Sequence, residues 1–343
     1  MGANRGRTGI RACLVAAAAL AVGACGTGTT EPTATSSSTT TTPTGSASPS
    51  ATSSASGTAT GDAVASPSLE SLQEQVVDQF EPMEYDDAEA GLTIRYHLFL
   101  PEGYDGDESY PMVVFISDSS RVGDDVGAPL ADYGALIWAS EQQQARQPTL
   151  VLVPQYPEVI IDDLDGHTVS DYVDMTAGLI RAVQEDYEVD SDRIYGTGQS
   201  MGAMTVMYLA AQQPDLFAAE LLVSGQWDTA DLQGLTEETF VYVAAGGDER
   251  ATRGQDDVEA MLDEANVPFG TATWDATWSP TRLEEAADEL LADDDRIYFV
   301  TFEAGTVLEA GGSDDGRTSE HMASFQPAYE IAALRDWLVE QED

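Results

Sequence analysis

Hydrophobic positions along the chain fall into short, regularly spaced runs from about residue 82 onward. "LTIRYHLFLPEGY" alternates apolar and polar positions until a proline ends it. That pattern predicts a half-buried strand, or the second arm of a hairpin. Met112–Ile116 and Leu150–Val153 are continuous apolar runs of strand length, the pattern of strands buried on both faces. "SDYVDMTAGLIRAVQEDY" changes period: Val173, Ala177, Ile180 and Val183 share one helical face, with Ser170 placed to cap the helix. "SDRIYGTGQ" predicts the next strand and Met201–Gln213 the next helix. "FAAELLVSG", "TFVYVAAGGD" and "RIYFVTFEAG" supply three more buried strands, and "PAYEIAALRDWLVEQ" a closing amphipathic helix. Strands alternating with helices predict an α/β domain around a mostly parallel sheet with helices on both faces. No internal repeat is visible.

The first 68 residues do not share this pattern. Arg5, Arg7 and Arg11 precede a short uncharged run of small apolar residues, Ala12–Ala24. The run is too short to span a bilayer, which favours a signal peptide over residues 1–24. Its end, Val22-Gly23-Ala24-Cys25, resembles the bacterial lipobox. That resemblance implies cleavage before Cys25 and lipid on its thiol, hence a protein anchored to the cell membrane on the extracellular face. A plain secretory signal is the alternative. Gly26 to about Pro67 is Ser, Thr, Gly, Ala and Pro with almost no large apolar residue. Such a segment cannot offset chain entropy by burial. Residues 25–68 are expected to be a disordered tether with a span of roughly 35 Å, leaving 69–343 as the folded domain.

Charge narrows the partners. The chain has 61 acidic residues against 14 basic ones, all arginine, for a net charge of −47. Nothing would neutralise phosphates, so nucleic acid is excluded as a partner. Self-repulsion of this size favours a saline habitat, with solubility or genome composition as plainer explanations. The two cysteines are Cys13 and Cys25. The folded part therefore has no disulfide and relies on its hydrophobic core. No metal-ligand spacing, phosphate-binding loop or dinucleotide fingerprint is present, and no cofactor is expected.

The candidate chemistry lies in "RIYGTGQSMGAMTVMYLAAQQP". Gly198, Ser200 and Gly202 satisfy G-x-S-x-G, a cheap pattern in a chain with 30 glycines. Its setting is more specific: Ser200 ends a predicted strand and opens a predicted helix, the context of a nucleophile elbow. A serine hydroxyl needs a base to take its proton. In the chain order serine, acid, histidine, only His321 follows Ser200; His97 and His167 precede it. The acid is less unique. Asp248 follows the strand "TFVYVAA" in a turn, and Asp314, Asp315 and Glu249 are rivals.

"DRIYGTGQSMGAMTVMYLAAQQPDLFAAELLVSG", "GAPLADYGALIWASEQQQARQPTLVLVPQYP" and "HMASFQPAYEIAALRDWL" together resemble the predicted-peptidase and polyhydroxybutyrate-depolymerase-like branch of the α/β-hydrolases. The resemblance runs from about Tyr96 to the C-terminus. It implies a secreted serine hydrolase acting on ester or amide bonds, with Ser200 as nucleophile, His321 as base and Asp248 as acid. Ester hydrolysis is the first expectation, peptide hydrolysis the second. A binding lipoprotein that has lost activity is a third reading, and the intact elbow argues against it.

Two departures matter. Where the family reads "HGAGxRGDD", this chain reads "SDSSRVGDD". The oxyanion donors are then expected from Met201 and from the Ser117-Asp118-Ser119 loop, specifically Asp118 and Ser119. An ionised Asp118 about 4 Å from a developing oxyanion would oppose it by about 4 kcal/mol at an effective dielectric of about 20. Its carboxylate is therefore expected to turn away and to pair with Arg121. Second, "VPFGTATWDATWSPTRLEEAADELL" intervenes before the last strand, and Trp274 and Trp278 are candidate residues of a substrate cleft.

Overall fold

In the computed structural model the described residues are 11–12, 66–164, 166–293, 295–311 and 318–342. The segment expected to be a signal peptide, apart from Arg11 and Ala12, the lipidation candidate Cys25 and the segment expected to be a tether, up to residue 65, lie outside them. Asp314 and Asp315 do so too.

Among the described residues there are twelve strands: β1 (Arg11–Ala12), β2 (Glu81–Asp87), β3 (Leu92–Phe99), β4 (Tyr110–Ile116), β5 (Leu150–Gln155), β6 (Ile161–Asp162), β7 (Thr168–Val169), β8 (Val189–Gln199), β9 (Ala219–Val223), β10 (Phe240–Ala245), β11 (Gly270–Trp274) and β12 (Ile297–Phe302). The α-helices are α1 (Leu69–Val76), α2 (Tyr133–Leu136), α3 (Glu141–Arg146), α4 (Asp171–Asp186), α5 (Met201–Gln212), α6 (Glu249–Ala265), α7 (Pro280–Leu291), α8 (Thr306–Ala310), α9 (Glu320–Ala323), α10 (Phe325–Glu330) and α11 (Ala332–Val339). Ten strands form one sheet in the order β1-β2-β3-β5-β4-β8-β9-β10-β12-β11, while β6 and β7 pair separately as a small hairpin.

The alternating segment is indeed the second arm of a hairpin: β2 and β3 pair antiparallel from Glu81↔Leu98 to Asp87↔Leu92, and β3 is antiparallel to β5. From β5 to β11 neighbouring strands are parallel. The continuous apolar runs follow from this position. Every residue of β5, β9 and β10 is buried. One face of the sheet is covered by α4, α5 and α6, the other by α1, α2, α7, α10 and α11. The chain passes from β4 to β5 on one side and then returns to β8 on the other. The crevice beyond the C-terminal ends of β4 and β8 is thus a topological switch point, the usual place for a ligand site in an open parallel sheet.

Three local differences from the pattern have physical causes. The insertion before the last strand contains a strand, β11, whose exposure alternates because it forms the sheet edge; the sequence shows no buried run there. The closing helix is broken at Ile331 (ψ 105°). Both carboxylate oxygens of Glu284, reaching over from α7, accept the backbone N–H groups of Ala332 and Ala333 at 2.8 Å and start a new helix. Ser170 occupies the N-cap position of α4, but its side chain makes no capping hydrogen bond. The fold takes hold of the chain from Ser66, whose hydroxyl donates to the Glu330 carbonyl at 2.7 Å, while the Ser68 hydroxyl caps α1.

Candidate active site

Ser200 sits where β8 ends and α5 begins, with φ 53° and ψ −116°. This sparsely populated conformation costs about 1–3 kcal/mol and persists only where the surroundings fix it. They do so here: the Ser200 N–H donates to the Val223 carbonyl at 2.9 Å, and its own carbonyl accepts from Met204 N. The two glycines are required by close approach. A β-carbon on Gly202 would lie 1.8 Å from the Ile116 carbonyl oxygen, and one on Gly198 would lie 2.5 Å from the Gly202 carbonyl carbon. The elbow is packed backbone to backbone against the end of β4.

His321 lies in α9, which packs beside the C-terminal end of β10. Its Nε2 is 2.8 Å from Ser200 Oγ and its Nδ1 is 2.6 Å from Asp248 Oδ2. Asp248 is the N-cap of α6; its Oδ1 accepts the Arg250 and Ala251 N–H groups at 3.2 Å. Burial pushes the Asp248 carboxyl up, but the His321 hydrogen bond and charge, with the two backbone donors, more than offset this and hold it below the usual carboxylate range. A lowered carboxyl contributes stability above its unfolded pKa, and that contribution is lost as pH falls through the folded value. Asp248 is therefore ionised at neutral pH. Of the described carboxylates considered from sequence, it is the one that meets His321; Glu249 is instead the first residue of α6. We expect Asp248→Asn to lower kcat about 10⁴-fold with KM little changed, because an amide in that place no longer enforces the tautomer. Steady-state kinetics on an activated ester measures this.

Three neighbours were not apparent in the sequence. Ser324, fully buried, donates its hydroxyl proton to the His321 carbonyl at 2.8 Å. Its Oγ is also 2.8 Å from Ser224 Oγ, so the proton of that bond comes from Ser224. Ser224, at φ 49°, directly follows β9 next to the elbow. Glu320 accepts the Gly247 N–H at 2.9 Å and ties the histidine helix to the turn that carries Asp248. A serine directly after a strand, in "LLVSG", is the one signal that could have marked Ser224.

The oxyanion loop differs from expectation in part. Ser119 and Met201 line the cleft in front of Ser200. Met201 is the first residue of α5, so its N–H is among the donors that a helix start leaves without a helical acceptor. Asp118 does not line the cleft. It is 3% exposed, and its carboxylate accepts Ser120 N at 2.8 Å and Gln199 Nε2 at 2.9 Å. The acid thus turns inward and bridges the loop to the residue before the nucleophile. Its expected pairing with Arg121 is not formed. Arg121 bonds Asp132 instead, with Nε at 2.8 Å, since Asp118 is already satisfied by the cap and the amide. The tryptophans are corrected too. Trp274 is 3% exposed within the core on the face of α7, and Trp278 packs against that core with the Arg282 guanidinium 5.1 Å from its ring centre. Both belong to the β11 edge, several strands away from β8.

The cleft itself encloses about 260 Å³ and is lined by Ser119, Ser200, Met201, Met204, Gln226, Asp248, Arg250 and His321, together with residues 159 and 161–164 around β6. Among the described residues no group of three or more His, Cys, Asp or Glu is arranged to hold a metal ion.

The model of the prolyl oligopeptidase family matches residues 155–271, the segment that contains the elbow and Asp248. Compared by sequence with curated proteins, the chain has no match. Among solved structures it is similar to a thermostable esterase, with 23% identity, a TM-score of 0.63, and coverage of 78% of this chain and 64% of that one. It therefore spans less than two thirds of that esterase's length. It is also similar to the feruloyl esterase module from Clostridium thermocellum complexed with sinapinate, with 14% identity, a TM-score of 0.52, and coverage of 76% and 88%. A putative dipeptidyl aminopeptidase IV from Bacteroides ovatus gives 10% identity, a TM-score of 0.51, and coverage of 77% and 36%. The fold of this chain is that of the α/β-hydrolases.

Proposed function

We propose that this α/β-hydrolase-fold chain is a serine hydrolase that cleaves carboxylic esters through an acyl-enzyme. The observation that carries the reading is the continuous hydrogen-bonded line from Ser200 Oγ through His321 to the Asp248 carboxylate. Ser200 Oγ attacks the ester carbonyl as its proton passes to His321 Nε2. The imidazolium that forms is stabilised by Asp248 across Nδ1–H. Negative charge on the carbonyl oxygen meets the Met201 N–H at the start of α5, where the helix dipole also favours an anion, and a backbone donor at Ser119. His321 then returns the proton to the leaving alcohol. Water, activated by the same imidazole, attacks the acyl-enzyme and releases the acid and Ser200.

Amide hydrolysis uses the same groups, and the prolyl oligopeptidase family match favours a peptidase as the second reading. Matched p-nitrophenyl esters and p-nitroanilides with the same acyl group separate the two. An esterase turns over the ester and leaves the anilide nearly untouched. Comparable kcat/KM on a peptide anilide would move the assignment to peptidase.

The protein works, on this reading, outside the cell, tied to the membrane by lipid on Cys25. Cys25→Ser should shift it from the washed membrane fraction to the soluble fraction, as followed by immunoblot. Retention of the uncleaved variant in the membrane would point to a signal anchor.

A further inference from the structure

Among the described residues four large hydrophobic side chains are exposed: Val159 at 43%, Leu164 at 69%, Val169 at 40% and Met322 at 42%. Single exposed hydrophobics are ordinary on a protein surface. Two of them stand at the rim of the Ser200 cleft. Val159 and Leu164 line it. Val169 stands opposite Ile161 across the β6–β7 hairpin, and Ile161 lines the cleft. Inward from the rim, Ile161, Met201 and Met204 continue the apolar wall down to the nucleophile. In a chain with 61 acidic residues, this apolar concentration at the mouth marks a binding surface.

Among the described residues, the charged side chains of the cleft are engaged in holding its wall; Asp162 accepts the Leu164 N–H on Oδ1 at 2.9 Å. Asp163, within the hairpin, accepts the Arg250 guanidinium on Oδ1 and Gln226 Nε2 on Oδ2 at 2.9 Å. The Ser170 N–H donates to the Ile160 carbonyl at 2.9 Å and closes the base of the hairpin. Arg250 belongs to α6 and Gln226 to the loop after β9, so the hairpin is pinned to two elements of the main fold. Asp248 is engaged with His321. The side chains left facing a substrate are mainly aliphatic and thioether groups, and methionine adapts its shape to flexible apolar ligands. A volume of about 260 Å³ is below that of sites for drug-sized ligands, so the cleft encloses one arm of an ester and leaves the other at the mouth.

We propose that the wall of Val159, Ile161, Leu164 and Met204 binds an aliphatic arm of the substrate, making the substrate class esters with a medium-length alkyl or acyl chain. The inference rests on the ester-hydrolase reading above. Two substrate series test it on the purified protein: p-nitrophenyl esters from acetate to octanoate, and acetates of methyl to octyl alcohols. In one of the series kcat/KM should rise about two- to fourfold for each added CH₂ until the chain outruns the wall. Leu164→Ser, at an exposed position with no bearing on folding, should lower the long-to-short ratio of kcat/KM at least about tenfold. Asp163→Asn, which weakens the pin under the hairpin, should lower the same ratio while circular dichroism stays native. A flat response in both series, or a ratio unchanged in Leu164→Ser, overturns the proposal. Fluorophosphonate labelling tells this failure from that of the parent reading. Labelled protein with a flat response discards only the wall, whereas wild-type protein that is neither labelled nor active on any ester discards the hydrolase reading and the wall with it.

Discussion

Replacing Ser200 with alanine should abolish ester turnover, with kcat reduced by roughly 10⁵–10⁶-fold and the fold retained. Only the hydroxyl oxygen is removed. The methyl group that remains keeps the elbow's backbone bonds to Val223 and Met204, and the positive φ of 53° stays supported by the same neighbours. The loss is therefore chemical. Without Oγ no covalent acyl-enzyme forms, and residual catalysis comes from the oxyanion donors and binding alone. Steady-state kinetics together with a native melting transition measures this. A variant that keeps a tenth of wild-type activity would mean that another nucleophile is in use.

His321→Ala should be almost as severe, because the serine and its base act as a unit. The imidazole is the hydrogen-bond partner of Ser200 Oγ, at 2.8 Å, and a neutral serine without a base is a poor nucleophile at pH 7. The loss should be of order 10⁵-fold or more in kcat. The double variant Ser200→Ala/His321→Ala should be little worse than either single one, a non-additivity that independent roles would not produce. A nearly full product of the two losses would contradict the shared role.

Much of this site could be read from the chain because its requirements are local. A serine between a strand and a helix, flanked by glycines at positions where a β-carbon would strike the backbone, is encoded within five residues. His321 followed from chain order. Asp248 was only one of several acids, since nothing local separates it from Glu249 or from Asp314 and Asp315; the distinction is the tertiary contact with His321. The strands of the sheet centre were legible as unbroken apolar runs, whereas edge strand β11, with alternate residues exposed, was not. Trp274 looked like a ligand-binding aromatic in a polar insertion. Its actual partners come from α7 and the sheet edge, which sequence pattern does not connect. Asp118 illustrates the opposite case. Its charge predicted rightly that the side chain would avoid the cleft, but not that an amide on β8, Gln199, would be its partner instead of the nearby Arg121. Ser224, Ser324 and Glu320, which hold the histidine helix, likewise depend on contacts between distant segments.

The most direct test of the account is the reaction of the purified protein with a fluorophosphonate, followed by intact-mass measurement and peptide mapping. The account predicts one adduct per chain, located on Ser200, with activity lost in proportion to labelling and no adduct on Ser200→Ala. Folded wild-type protein that takes up no label, or carries it on a serine other than Ser200, would contradict it.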